Sequence, residues 1–144
     1  MSRPKLIFVT RSRYWRPGNG EAARTAALID ALAEVCDLTV FFPEQPDAAT
    51  RPFVERSRHR YRLAVGDTAR PERAALVSGL RGMCRQIAPD CVLLSRLQLD
   101  FLRLGVPDGI RLVMDTHDLV SDNAASRASV GVAVEEALDF EREL

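Results

Sequence analysis

Two stretches of this sequence carry residue types able to do chemistry. The first is Tyr14-Trp15-Arg16-Pro17-Gly18-Asn19-Gly20, where two glycines flank Asn19 just ahead of an alanine-rich run. Glycine lets a bound group approach the backbone closely. If the run that follows is helical, its free N–H groups and partial positive charge attract a phosphate or another oxygen-rich group. Tyr14 and Trp15 are large aromatics suited either to closing over a core or to stacking on a sugar. The second stretch is Asp115-Thr116-His117-Asp118. A histidine there can donate to a sugar hydroxyl or stabilise developing charge, with a neighbouring carboxylate fixing its tautomer. Asp115, Thr116 and Asp118 serve equally well as caps for a following helix.

Neither stretch is a full signature. Gly18-Asn19-Gly20 lacks the third glycine and the short loop of a dinucleotide fingerprint, and His117 lacks the further ligands a metal requires. Cys36, Cys84 and Cys91 are widely spaced in apolar surroundings and read as buried free thiols. No nucleophile elbow is present, and His59 falls in a basic stretch that reads as surface.

The elements that must position these loops follow from periodicity. Leu6-Ile7-Phe8-Val9 is a continuous apolar run, as in a strand buried on both faces of a parallel sheet. The loop formers in 11–20 require a loop after it, and the apolar spacing of Leu28, Leu32 and Val35 predicts a helix from Glu21 to Val35. A second strand, 38–42, stops at Pro43, and 43–52 reads as an exposed loop. Further elements are expected as a strand over 58–65, a helix over 71–87 ended by Pro89, a strand over 91–94, a short helix over 97–104 and a strand over 111–114. A final helix is expected over 124–144. Strands alternate with helices throughout, which predicts an α/β fold: a mainly parallel, doubly wound sheet with helices on both faces.

Composition narrows the class. The 144 residues fit one domain, and 47% apolar with 28% charged residues suits a packed core. Lys plus Arg equals Asp plus Glu at 20 each, so no global basic field exists to drive sequence-independent binding of nucleic acid. No window is long and apolar enough for a transmembrane helix, and the amino terminus does not read as a signal peptide, which points to the cytoplasm and leaves peripheral membrane contact open.

Taken together, the 5–10 strand, the Pro17-Gly18-Asn19-Gly20 loop, the Glu21-Ala22-Ala23-Arg24 helix start, the 37–42 strand and the late 113–119 string resemble the N-terminal domain of family 4 retaining glycosyltransferases. The resemblance covers nearly the whole chain and implies an enzyme of the GT-B architecture, with two Rossmann-like domains facing one cleft. The first domain mainly binds the acceptor, and the second mainly binds a nucleotide sugar. It implies no separate cofactor and no metal, and it places Gly18, Asn19 and Gly20 near the donor phosphates and transferred sugar. His117 becomes the histidine that contacts the donor sugar, with Asp118, Tyr14 and Trp15 as further binding residues.

The second domain that the resemblance implies, with its basic phosphate-binding residues and paired glutamates, has no counterpart in these 144 residues. Glu135 and Glu143 have the right separation but read as a solvated helix face. The expectation is therefore an acceptor-side domain inactive alone, with roughly 200 further residues forming a second β-α-β series after Leu144. The alternative is a non-catalytic, stand-alone Rossmann-like domain that binds a small ligand or a protein partner. A dehydrogenase domain ranks last, because Glu44, the acid that would close its second strand, follows a proline and lacks the fingerprint.

Overall fold

The computed structural model describes residues 2–116 apart from 17, 19 and 58, with the backbone alone at 50, 51, 54 and 55. The expected final helix, and with it His117 and Asp118, lies outside the described residues.

Five strands form one parallel sheet: β1 (Lys5–Val9), β2 (Asp37–Phe42), β3 (Arg62–Val65), β4 (Cys91–Ser95) and β5 (Arg111–Asp115), in the order β3-β2-β1-β4-β5. In the register Leu6 lies opposite both Leu38 and Cys91, and Ile7 opposite both Thr39 and Val92. Central β1 is flanked on both sides, which is why its sequence is uninterruptedly apolar. The α/β, doubly wound architecture expected from the alternating pattern is present.

Helix α1 (Gly20–Val35) covers one face, where Leu6, Phe8, Leu38 and Val40 pack with Ile29 and Ala33. Its buried positions are Ala22, Thr25, Ile29 and Ala33, whereas Leu28 and Leu32 are half-buried and Val35 is exposed. The stripe is thus rotated from the leucines that the periodicity picked out. Small residues face the sheet, allowing close approach of the helix, and the leucines seal its flank.

Helix α3 (Arg73–Ile87) and a 3-10 segment, Leu97–Gly105, cover the other face, packing Leu80, Cys84, Leu99 and Leu102 on Ile7, Val9, Val92 and Leu94. The two packing units meet closely: a Cβ on Gly105 would lie 2.6 Å from the Val77 carbonyl oxygen. Helix α3 ends on Ala88 in the left-handed region, its N–H bonded to the Cys84 carbonyl at 2.9 Å, and Pro89 follows.

Two expected boundaries are corrected. The end of the 43–52 loop is instead a 3-10 turn (Ala48–Thr50) leading into helix α2 (Arg51–Ser57), and β3 begins only at Arg62 rather than at 58. Pro52 occupies the first turn, where its missing N–H has no helical partner to lose. Phe53 anchors the helix on Tyr14, with ring centroids 5.4 Å apart. No local period reveals so short a helix, because that tertiary contact stabilises it.

Candidate functional site

In a doubly wound sheet the ligand crevice opens at the carboxyl edge, where the strand order reverses. That point lies between β1, whose chain leaves towards α1, and β4, whose chain leaves towards the 3-10 segment on the opposite face.

The loop after β1 is pinned from below and above. The ladder extends by one bond from the Thr10 N–H to the Phe41 carbonyl at 3.1 Å, and Thr10 Oγ1 accepts the Ser12 N–H. Tyr14 is buried, its ring 5.2 Å from Trp15, and Trp15 meets Phe42 edge-on at 5.0 Å. The Tyr14 and Tyr61 hydroxyls share a hydrogen bond of 3.0 Å. Burial raises both phenols above their ordinary value, Tyr14 strongly, so the pair is neutral. Above the rings, Arg11 pairs with Glu44, and Arg13 and Arg16 both pair with Asp47, the former at 2.8 Å. Tyr14 thus sits in the core, while Trp15 is half-buried beside it.

This anchoring delivers the chain to Gly18 and Gly20. Gly18 has φ +115, a conformation that side chains disfavour, and Gly20 is the first residue of α1. Among the described residues a Cβ at either would meet nothing within 4 Å, so space is open above both.

Opposite them stands Arg96, directly after β4. Its φ of 85 is held by an N–H bond to the Asp115 carbonyl at 2.8 Å, and its guanidinium lies 2.5 Å from Glu21 in the first turn of α1. Such a backbone costs on the order of 1–3 kcal/mol and persists only where its surroundings fix it. One turn further along α1, Arg24 lies 3.2 Å from the Asp115 carboxylate. The start of α1 and the ends of β4 and β5 are therefore tied together, and the two sequence stretches approach one another through Asp115.

Three buried polar atoms from these loops have no hydrogen-bond partner among the described residues: Trp15 Nε1, Arg96 Nε and Gln98 Oε1. Leaving such a group unpaired costs about 1–3 kcal/mol. Among the described residues no group of three or more His, Cys, Asp or Glu could hold a metal, and no helix is long and apolar enough to cross a membrane.

Sequence reasoning did not single out Arg24 or Arg96. Arg96 follows an ordinary apolar strand, and only the sheet order places it against α1. The arrangement leaves open backbone at the glycines for an oxygen-rich ligand, in a place fixed by the Arg96–Glu21 and Arg24–Asp115 pairs.

The fold and this crevice define a Rossmann-like α/β domain. No protein-family model matches the chain, and no curated protein matches it significantly.

Proposed function

We propose that the chain is the N-terminal, acceptor-side domain of a two-domain retaining glycosyltransferase, forming one wall of the cleft where a sugar passes from a nucleotide-sugar donor to an acceptor. The observation that carries this reading is the open space over Gly18 and Gly20 at the start of α1, facing Arg96 across the point where the strand order reverses.

In this reading Gly18, Asn19 and Gly20 admit the donor's phosphates and sugar, as the resemblance implies. Arg24 and Arg96, paired with Asp115 and Glu21, hold the start of α1 against the ends of β4 and β5. His117 and Asp118 follow Asp115 in sequence and supply hydrogen bonds to the donor sugar. The domain is inactive alone, because the charge developing on the leaving diphosphate needs the cationic groups of the second domain.

The test assays the full-length gene product with a panel of nucleotide sugars for release of the nucleotide diphosphate, and by proton NMR for retained anomeric configuration. Turnover is expected there and none from the isolated 144-residue chain. Gly20→Trp should abolish turnover while leaving the circular dichroism melt unchanged. Robust transfer by the isolated chain, or binding without turnover in the full-length product, overturns the proposal, the second outcome favouring a ligand-binding module.

A further inference from the structure

At the opposite, amino edge of the sheet the helices leave a gap. Helix α3 leans over β1 and β4, and the same face of β2 and β3 has a cavity of about 650 Å³ beside it, walled by Met83, Gln86 and Ile87 of α3. That volume falls in the range of small-molecule sites, about 300–1,000 Å³.

The lining is mixed: Met83 and Ile87 of α3 and Ala64 of β3 supply an apolar strip, while Gln86, Arg62, Asp37 and Lys5 are polar or charged. Lys5, the single lysine of the chain, stands at the rim, with one N–H donated to the Ile87 carbonyl at 3.3 Å. An ammonium has three donors, so capacity remains. Beside it Arg62 is neutralised by Asp37 at 2.9 Å. Lys5, Arg62 and Asp37 together carry one net positive charge.

Thr39 lines the same cavity. It is 3% exposed, and its Oγ1 has no hydrogen-bond partner among the described residues. Its place opposite Ile7 in the register turns it to the α3 face. A buried hydroxyl without a partner in the middle of a parallel strand is a standing cost, and valine would fill the position without it.

We infer that this groove binds a small apolar monocarboxylate, its tail along Met83, Ile87 and Ala64 and its carboxylate at Lys5, where it accepts a hydrogen bond from the Thr39 hydroxyl. One net positive charge matches a monoanion, and the apolar strip of Met83, Ile87 and Ala64 suits a short hydrocarbon body. The site is at the far edge from the crevice and does not depend on the function proposed for it.

Octanoate is the probe, titrated into the purified chain and followed by amide NMR shifts, with octanol and octylamine as charge controls. Saturable shifts at Thr39, Ala64 and Ile87 are expected with octanoate, and weak or absent ones with both controls. Thr39→Val is expected to raise the melting temperature of the unliganded protein yet weaken octanoate about fivefold, the equivalent of one modest hydrogen bond. Lys5→Gln is expected to weaken octanoate by a similar factor. The inference is overturned if octanoate gives no saturable shifts, if octanol binds as tightly, or if Thr39→Val binds octanoate unchanged.

Discussion

At the carboxyl edge of the sheet Arg11, Arg13, Arg16, Arg24 and Arg96 each face a carboxylate from another loop or element, whereas at the amino edge Lys5 and the Arg62–Asp37 pair border a groove that no helix among the described residues fills. The first edge spends its charges tying loops to one another, so that Gly18 and Gly20 are held open in a fixed place. The second is tied too, by Arg3 to the Ala33 carbonyl, Arg60 to Asp30 and Arg62 to Asp37, yet it leaves part of one sheet face beside an open groove. Parallel strands need cover on both faces, and among the described residues α3 packs over β1 and β4 and leaves the cavity beside β2 and β3.

Three measurements sharpen or break that contrast. The largest effect is expected at Gly66, just beyond β3, where an added Cβ would run into the backbone carbonyl of Pro43. Gly66→Ala should cost about 1–3 kcal/mol in urea unfolding, as overpacking does. Gly79→Ala in α3, where a Cβ meets nothing within 4 Å, should instead stabilise by about 0.5–1 kcal/mol. Equal effects at both positions would mean that the carboxyl-edge loops are not held in register.

An intermediate effect is expected from the Tyr14–Tyr61 pair beneath the pinned loop. Both phenols are raised in the fold, so the unfolded chain ionises first. Their contribution to stability is full below the ordinary phenol value of 10.0 and is lost as pH rises from there through the raised values. Urea midpoints between roughly pH 8 and 11 should fall at the alkaline end, and less steeply in the Tyr14→Phe, Tyr61→Phe double variant. A double variant with the same slope would remove the pair from the account.

The smallest effect is expected at Asp47, which holds Arg13 and Arg16. Asp47→Ala should cost no more than about 1 kcal/mol, with the difference shrinking in high salt, because these pairs are partly exposed. A larger, salt-independent loss would make the ionic ties the main anchor of the loop, ahead of its aromatic rings.

Much of the fold was legible in the residues themselves. Leu6 to Val9 and Cys91 to Leu94 can only be buried strands, and Pro43 and Pro89 mark where β2 and α3 have ended. The face of α1 was less legible: Leu28 and Leu32 dominate its apolar periodicity, yet Ala22, Thr25 and Ala33 face the sheet, because contact distance favours small side chains there. Helix α2 was not legible at all, being stabilised through Phe53 by rings distant in sequence.

By itself the sequence determined the alternation of strands and helices and the glycine turn ahead of α1, because backbone conformation and burial on both faces restrict residue type locally. Only the tertiary structure decided that Arg96 faces Glu21, that Arg24 reaches Asp115, and that Thr39 lies buried without a partner beside an open groove. Those relations depend on strand order and helix placement, which bring together residues that no local spacing connects.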